Sequence, residues 1–207
     1  MLIKAGERMS HYYSQSMDDV KSDVKTIHYT FNHQSFKFFT DHGVFSKDHV
    51  DSATDLLLHT VDPSDAKTAL DLGCGYGVMG IVLNKIYACT VTMTDVNPRA
   101  LELTKQNISM NDARATVFKS EGFDSVTESY DLIITNPPIR IGKESMYELF
   151  KTAKTHLTKQ GSLWLVMHKK HGALSAIRFL SEHYESVEVI KRHKGFHVVR
   201  CQKALTY

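Results

Sequence analysis

Residues 68–77 read Thr-Ala-Leu-Asp-Leu-Gly-Cys-Gly-Tyr-Gly, a short apolar run that ends in three alternating glycines. The run predicts a strand that is buried on both faces, because Ala69 and Leu70 are both apolar. The glycines remove side chains where a backbone must turn sharply and approach a ligand. A helix beginning near Val78 would direct its free N–H groups and its positive dipole end toward that turn.

Two classes of ligand fit this turn. Gly75, Gly77 and Gly80 have the spacing of the dinucleotide-binding pattern, and Asp95 follows at the distance expected of a ribose-binding acid. A dehydrogenase with a nicotinamide cofactor therefore has to be considered. Asp71 favours another ligand, because a carboxylate just before the first glycine is poorly placed beside a pyrophosphate and well placed for an ammonium group.

Residues 71–77, Asp-x-Gly-x-Gly-x-Gly, resemble motif I of the class I S-adenosylmethionine-dependent methyltransferases. In that family the acid meets the methionine amino end of the cofactor. The resemblance implies a cofactor site that includes Asp71, Gly73, Gly75 and Gly77. Motif I alone favours a methyltransferase over a dehydrogenase.

The length and composition of the chain limit its domain organisation and its location. The chain has 207 residues, of which 42% are hydrophobic, enough for one domain with a substantial core. Its three scattered cysteines indicate a reducing compartment rather than a disulfide framework. No apolar run is long enough to span a membrane, and residues 1–10 lack the apolar core of a signal peptide, so we expect a cytoplasmic location.

Charge is distributed unevenly along the chain. Residues 1–130 hold 12 Lys or Arg against 17 Asp or Glu, a net charge of −5, whereas residues 131–207 hold 13 against 6, a net charge of +7. The basic part is the expected partner surface. An ordinary mixture of solvated helix faces is the alternative interpretation.

The order of the predicted elements indicates an α/β fold. Two strands at 26–31 and 35–40 predict a β-hairpin, whose phenylalanines Phe36, Phe38 and Phe39 we expect to pack in a core rather than to stack on bases. A helix through residues 56–58 would be capped by Asp51 or Ser52. We expect an N-terminal tail at 1–24 and a single domain at 25–207, composed of the hairpin at 25–46 and a core at 47–207.

From residue 68 onward, strands and helices alternate. The predicted strands are 68–71, 89–94, 115–118, 130–135, 162–167, 186–191 and 196–201, and the predicted helices are 78–86, a helix starting at Asn97-Pro98, 143–157 and 171–183. The last two strands are close enough to form an antiparallel hairpin. The pattern predicts a parallel sheet that ends in one antiparallel strand.

Asp95 ends the second strand of this series, where open α/β sheets place ligand contacts. A carboxylate there can accept both ribose hydroxyls of an adenosine, a role that serves NAD and S-adenosylmethionine equally. The alternative is that Asp95 merely precedes the cap of the next helix. The predicted cofactor site is completed by Val96, by Ser120 and Glu121 where an adenine edge would be met, and by Asn136.

The apolar strand 131–135 ends in Asn136-Pro137-Pro138-Ile139, for which a dehydrogenase has no evident use. An amide or exocyclic amino nitrogen is a poor nucleophile because its lone pair is delocalised. The Asn136 side-chain oxygen and the Pro137 carbonyl can accept its hydrogens, and the prolines restrict the backbone that presents them. We therefore predict that Asn136 and Pro137 hold the nucleophile without a strong general base. The alternative is a proline-rich turn that simply ends a strand.

This stretch looks like motif IV of the methyltransferases that act on amino groups of adenine, cytosine, guanine or glutamine. Many members carry an aromatic residue that stacks on the base where this chain has Ile139, so Ile139 would contact one face of the base and Phe45 the other. The basic residues expected beside Asn136 are Arg140, Lys143, Lys169, Lys170, Arg192 and Lys194. A positive rim around the site indicates a polyanionic substrate, such as an RNA with a flipped or unpaired base. The alternative is that these residues lie in ordinary charged, solvated loops.

Three further stretches narrow the resemblance: 43–46 (Gly-Val-Phe-Ser), 136–143 and 163–170. Together they resemble the small-domain (MTS) methyltransferases related to the 16S ribosomal RNA guanine-N2 methyltransferase RsmC, in the short Gram-positive form. The resemblance implies a Rossmann-like class I methyltransferase fold with a mostly parallel seven-stranded sheet, one antiparallel strand and a small N-terminal β-hairpin. It also implies S-adenosylmethionine as cofactor, S-adenosylhomocysteine as product, and N2 of a guanine in small-subunit rRNA as the acceptor.

The expected partner is RNA, as rRNA or as the small ribosomal subunit, with no DNA and no membrane, and the chain is expected to be a monomer or a weak homodimer. Two alternatives stay open: methylation of a protein glutamine or small-molecule amine, and a non-catalytic RNA-binding module with a vestigial cofactor site. No metal site is predicted, because the closest histidine pairs, His168 with His171 and His193 with His197, lack cysteine or acidic partners at ligand spacing.

Overall fold

The structure, a computed structural model, describes residues 21–138 and 141–203, so the predicted site residues Ile139 and Arg140 lie outside the described residues. Its first element is an antiparallel hairpin of β1 (Lys25–Phe31) and β2 (Gln34–Thr40). Asn32 and His33 form the turn with φ values of 46° and 64°. Two-residue hairpin turns need positive φ at such positions, which asparagine tolerates well. The predicted hairpin is confirmed.

A second, seven-stranded sheet forms the body of the molecule. Its strands are β3 (Thr68–Leu72), β4 (Thr90–Asp95), β5 (Ala115–Lys119), β6 (Tyr130–Thr135), β7 (Leu157–His168), β8 (Ser186–His193) and β9 (Phe196–Gln202). They are ordered β5-β4-β3-β6-β7-β9-β8. β9, the last strand in chain order, runs antiparallel to the other six strands of this sheet, which confirms the predicted mostly parallel sheet with one antiparallel strand. It lies between β7 and β8 rather than at an edge of the sheet.

Five α-helices lie within the described residues: α1 (Ser52–Leu58), α2 (Val78–Tyr87), α3 (Pro98–Met110), α4 (Lys143–Thr155) and α5 (Ala173–Ser181). Asp51 caps α1, as predicted, because its carboxylate accepts the N–H groups of Ala53 and Thr54. Asn97 caps α3 in the same way, and Pro98 occupies the first helical turn, where its missing N–H costs nothing.

The region before residue 162 differs from the prediction. α4 ends at Thr155 and β7 already begins at Leu157, where the sequence predicted a helix to 157 and a strand from 162. Leu157 pairs with Tyr130, but Leu132 pairs with Ser162, so residues 158–161 bulge out of the ladder. A Cβ on Gly161 would lie 2.7 Å from the Tyr130 carbonyl oxygen. The bulge therefore needs glycine, a residue whose sequence signal is that of a turn.

The helix predicted at 171–183 is also shorter in the structure. Residues Lys169–His171 form a 3₁₀ turn, and Gly172, with φ of 85°, precedes α5. The left-handed conformation of Gly172 separates the two helical segments, because it cannot continue a right-handed helix.

The hairpin is attached to the body of the protein by two asparagines of α3. Asn107 accepts the N–H of Phe39 (2.6 Å) and donates to its carbonyl (3.0 Å), and Asn111 makes the same pair of hydrogen bonds with Lys37 (3.0 and 2.7 Å). Residues four apart on a helix lie on one face, as do residues two apart on a strand. The two amides therefore occupy the edge of β2, where another strand would otherwise pair.

Helices cover both faces of the main sheet. One buried cluster combines the hairpin residues Phe31, Phe36 and Phe38 with α1, α2 and α3, and a second lies between the sheet and helices α4 and α5. The prediction that the hairpin phenylalanines pack in a core is confirmed for the two fully buried ones, Phe36 and Phe38. Within the part of the chain that the structure describes, no helix has the length and apolarity that a membrane crossing requires.

Candidate active site

The candidate site lies where the chain reverses its direction of progress across the sheet. β3 and β6 are neighbours, but the chain runs outward from β3 through β4 and β5, and from β6 the other way to β7. Open α/β sheets bind ligands in the crevice at such a point. We call β3, β4 and β5 with the turns that follow them the glycine-turn side, and β7, β8 and β9 with their turns the basic side.

The glycine turn after β3 is held in place by hydrogen bonds. The N–H groups of Gly73 and Cys74 donate to the Thr94 carbonyl (2.8 and 2.9 Å), and the Thr104 hydroxyl donates to the Gly75 carbonyl (2.8 Å). Gly73 and Gly75 have φ values of 73° and 56°. A Cβ on either glycine would meet no atom of the described residues within 4 Å. These two positions therefore border open space that a ligand can enter.

The next glycines serve close packing instead. Gly77 has φ of 95°, and a Cβ on it would lie 2.9 Å from Cγ2 of Thr104. A Cβ on Gly80 would overlap the Met93 side chain of β4. The glycine pattern thus combines two functions, ligand approach at its start and close contact of α2 with its neighbours at its end.

Asp71 is fully buried beneath the turn. Its Oδ2 accepts the N–H of Gly80 at 2.7 Å, whereas its Oδ1 is buried and has no hydrogen-bond partner among the described residues. Burial, with a further contribution from the charge of Asp95, raises the pKa of Asp71 from 3.8 to about 7. An unpartnered buried acceptor is unfavourable, and a nearby cation would favour the charged form of the carboxylate.

Asp95 lies at the end of β4, beside the turn. Its Oδ2 accepts the N–H of Gly75 and its Oδ1 accepts the N–H of Asn97, both at 2.8 Å. Burial raises the pKa of Asp95, although hydrogen bonds from Asn97, Gly75 and Val96 oppose the shift. Each carboxylate oxygen can accept a further hydrogen bond. Val96 follows it, half-buried.

Ser120 and Glu121 follow β5 at the same edge of the sheet. The buried Ser120 hydroxyl donates to the Gly122 carbonyl (2.9 Å) and accepts the N–H of Ser125 (3.1 Å), so it shapes the turn. Glu121 is half-buried. Their contact with an adenine stays a prediction.

Asn136 stands directly after β6 with its side-chain nitrogen engaged. Its Nδ2 donates to Oδ2 of Asp51 (3.0 Å) and to Oγ1 of Thr54 (3.1 Å), both at the start of α1. The side-chain oxygen is therefore the atom left to accept a hydrogen bond from a ligand. Pro137, next in the chain, is buried. Sequence patterns do not predict this contact with α1, because Asp51 and Asn136 are 85 residues apart.

A cleft with a volume of about 50 Å³ opens beside Asn136. It is lined by Asn136, Pro137, Met146, Val166, Met167, His168, His171 and Phe196. His168 packs edge-on against Phe196, with ring centroids 4.9 Å apart. Phe196, for which no site role was predicted, reaches the cleft because β9 pairs with β7.

Phe45, the predicted stacking residue, does not line this cleft. Its side chain is 66% exposed in the loop before α1. The backbone of that loop is held by the Tyr76 hydroxyl, which donates to the Ser46 carbonyl (3.3 Å), and by Asn97 Nδ2, which donates to the Gly43 carbonyl (3.2 Å). The loop is thereby joined to both the glycine turn and the end of β4, and a role for Phe45 in base binding stays a prediction.

Basic residues collect at the same edge of the sheet on the basic side. His168 pairs with Phe196, which pairs with His193, so the end of β7 and the β8–β9 turn are at one level. The exposed basic residues there are Lys169, Lys170, Arg192 and Lys194. Lys143 is exposed at the start of α4, with its Nζ 5.4 Å from the ring centroid of Tyr147. Across residues 21–138 and 141–203, no three His, Cys, Asp or Glu side chains are grouped to hold a metal ion.

Comparison with known sequences places these features in a family. Residues 35–200 match the family model described as methyltransferase small domain. The chain is 37% identical over 198 residues to the uncharacterized protein YbxB of Bacillus subtilis, a match that covers 93% of this chain and 98% of that protein. It is 31% identical over 204 residues to the ribosomal RNA small subunit methyltransferase C of Haemophilus influenzae strain PittEE, covering 95% of this chain and 61% of the relative. The chain thus spans about three fifths of the length of the latter protein.

Solved structures share the fold. A 16S rRNA N2 methyltransferase of T. thermophilus, in complex with AdoMet and guanosine, aligns with a TM-score of 0.80 and 22% identity, over 89% of this chain and 52% of that chain. A methyltransferase from Pyrococcus furiosus aligns with a TM-score of 0.67 and 21% identity, over 98% and 100%. With the family model matched over residues 35–200 and a relative of nearly equal length at 37% identity, this chain belongs to the methyltransferase small domain family.

Proposed function

We propose that this chain transfers a methyl group from S-adenosylmethionine to the exocyclic N2 amine of a guanine in 16S rRNA. Family membership makes it a methyltransferase domain, and S-adenosylmethionine is its cofactor. The main support for methylation of an exocyclic amine is the arrangement of the Asn136 side chain. Its nitrogen is engaged by α1, and its oxygen is left to accept a hydrogen bond beside a cleft.

The glycine-turn side fits the cofactor. Oδ1 of Asp71, which has no hydrogen-bond partner in the described part of the chain, suits an ammonium group. The space over Gly73 and Gly75, open among those same residues, leaves room for the chain that bears the ammonium group. Asp95 at the end of β4 has acceptor capacity for ribose hydroxyls. Val96, Ser120 and Glu121 complete the proposed site on the adenine side.

Asn136 and Pro137 would act on the acceptor nitrogen. S-adenosylmethionine supplies a methyl group on a positively charged sulfur, already activated for displacement. The lone pair of an exocyclic amine is delocalised into the base, so the amine must be held with its hydrogens on acceptors and its lone pair directed at the methyl carbon. Oδ1 of Asn136 and the carbonyl of Pro137 are the two proposed acceptors. The amine loses its surplus proton after transfer, when it is acidic enough to release it to solvent.

Charge and relatedness support RNA as the substrate. Lys169, Lys170, Arg192 and Lys194 form an exposed basic group beyond the cleft, and Lys143 extends it. Such groups bind phosphates without reading sequence, while the cleft would receive a base removed from its stack. A ribosomal RNA methyltransferase is among the curated relatives, and a related solved structure contains guanosine.

The test is transfer of tritiated methyl from S-adenosylmethionine to bacterial 16S rRNA that lacks this enzyme's modification, offered as naked RNA and as small subunits. Nucleoside analysis of the labelled RNA then identifies the methylated atom. The proposal predicts label in N2-methylguanosine.

Label in another nucleoside would contradict guanine N2 but keep RNA as the substrate. No label in any RNA, from protein that still binds S-adenosylhomocysteine, would contradict the RNA proposal. It would favour a protein glutamine or a small-molecule amine, which the same acceptors could hold.

A further inference from the structure

The contact between Asn136 and α1 uses the side-chain nitrogen completely. An amide nitrogen has two hydrogens, and here one is donated to Asp51 and the other to Thr54. Because a carboxylate can only accept, the nitrogen and not the oxygen of Asn136 must face Asp51. Rotating the amide by half a turn would bring Oδ1 of Asn136 against Oδ2 of Asp51, two acceptors without a hydrogen between them.

Asp51 is itself held in position. Its Oδ2 accepts the N–H groups of Ala53 (2.9 Å) and Thr54 (3.1 Å) as well as Nδ2 of Asn136. The carboxylate that caps α1 is therefore the same one that orients Asn136. Leu57 and Leu58 anchor this helix in the core.

A second tie connects α1 to the hairpin. The Tyr29 hydroxyl of β1 donates to Oδ1 of Asp55 at 2.8 Å. The hairpin, α1 and the segment after β6 thus form a chain of direct contacts that ends at the Asn136 amide.

We propose that Asp51, assisted by Thr54, is a positioning residue that fixes the Asn136 amide with its oxygen toward the acceptor nitrogen. This inference rests on the proposed function of Asn136. Asp51 does not touch the reacting atoms in this scheme; it acts by keeping the amide in one of its two orientations. Small errors in the position of a reacting group cost large factors in rate, of about a hundredfold.

Two substitutions of Asp51 separate positioning from helix capping. Serine and asparagine are both good N-cap residues, so Asp51→Ser and Asp51→Asn should both keep α1 folded. Only asparagine has an oxygen at the distance of Oδ2 that can accept from Asn136. We expect Asp51→Ser to lower kcat about a hundredfold. Asp51→Asn should stay within about fivefold of the unsubstituted protein, because it keeps the hydrogen bond and loses only the contribution of the charge.

Binding and stability provide the controls. The affinity for S-adenosylhomocysteine, the KM for RNA and the melting temperature should differ little between the two variants. Thr54→Val should give a smaller decrease of kcat, of roughly tenfold, because it removes one neutral acceptor. Thr54→Ser, which keeps the hydroxyl, should restore most of it.

Hydrogen exchange of the Asn136 side-chain amide, followed by NMR and assigned by the signals missing from Asn136→Ala, tests the contact without any substrate. The exchange should be slow in the unsubstituted protein and in Asp51→Asn, and fast in Asp51→Ser. Equal exchange in all three, or wild-type kcat in Asp51→Ser, would overturn the inference. A kcat equally low in Asp51→Asn and Asp51→Ser would also overturn it, since charge rather than acceptor geometry would then matter. If exchange behaves as expected but no RNA is methylated by the unsubstituted protein, the proposed substrate fails while the contact stands.

Discussion

On the glycine-turn side of the sheet, backbone N–H groups hold the acids that we propose as cofactor ligands, whereas on the basic side the proposed RNA contacts are the ends of long exposed side chains. Gly80 donates to Asp71 and Gly75 donates to Asp95, and both acids have raised pKa values caused first by burial. Lys169, Lys170, Arg192 and Lys194 are instead exposed to solvent. Fixed geometry suits one small ligand of constant shape, and solvated charge suits a large polyanion whose local shape varies.

The same division explains the charge asymmetry of the chain. The acidic stretch, residues 1–130, contains every strand of the glycine-turn side, and the basic stretch, residues 131–207, contains every strand of the basic side. A cofactor with a positive sulfur and an ammonium group would bind on the first side, and RNA on the second. Asn136, directly after the strand between them, would bring the two proposed ligands together.

Among changes in ligand affinity, Gly75→Ala should produce the largest effect and confine it to the glycine-turn side. Its Cβ would enter the open space over the turn, and its φ of 56° is strained for alanine. We expect a loss of about 2 kcal/mol in binding of S-adenosylhomocysteine, roughly thirtyfold in Kd by titration calorimetry. Gly172→Ala is the matched control, because Gly172 has φ of 85° and open surroundings but lies on the basic side. Similar losses in both variants would show that cofactor binding is not confined to the glycine-turn side.

Removing two charges from the basic side should weaken RNA binding alone. For Lys170→Ala combined with Arg192→Ala we expect about tenfold lower affinity at moderate salt, and a salt slope reduced by about 2, one for each lost phosphate contact. Filter binding over a series of salt concentrations measures both quantities. Lys105→Ala is the control, since Lys105 is exposed on α3 and pairs with Glu102. An unchanged salt slope in the double variant would show that RNA does not contact Lys170 and Arg192.

Changing the pH should affect the glycine-turn side through Asp71. With a pKa of about 7 in the folded protein, Asp71 ionises as the pH rises, and an ammonium group binds the ionised form. Affinity for S-adenosylhomocysteine should therefore increase about eightfold from pH 6 to pH 7.5 by calorimetry. Asp71→Asn should show weaker and pH-independent binding. If the affinity of the unsubstituted protein does not change with pH, Asp71 does not bind the ammonium group.

The same pKa shift sets the sign of a stability effect without ligand. In the unfolded chain Asp71 ionises near 3.8, well below its folded value, so the unfolded state gains its charge first. The free energy of unfolding should thus decrease between about pH 4 and pH 7 and this contribution should level off above it. Denaturant unfolding of the unsubstituted protein and of Asp71→Asn measures the difference.

Sequence predicted those features whose determinants are neighbours in the chain. The glycine turn, the strand ends at Asp95 and Asn136, the cap at Asp51 and the helix start at Asn97-Pro98 each depend on a few consecutive residues. The alternation of strands and helices was then enough to predict a mostly parallel sheet.

Features formed by residues far apart in the chain could not be predicted from the sequence. The cleft needs Phe196 beside His168, a pairing set by the register of β9 against β7. The contact of Asp51 with Asn136 needs α1 to dock at the end of β6, and neither segment carries a local signal for the other. Gly161 allowed a bulge where its residue type indicated a turn.

In the proposed function, Asn136 joins two independent binding sides. The most direct test is single-turnover methyl transfer by Asn136→Ala, with S-adenosylmethionine and RNA both at saturating concentrations. We expect transfer at least about a hundredfold slower, as for the loss of one preorganised acceptor, because both ligands still bind but the amine is no longer held. Transfer within a few fold of the unsubstituted rate would show that the Asn136 amide does not hold the amine.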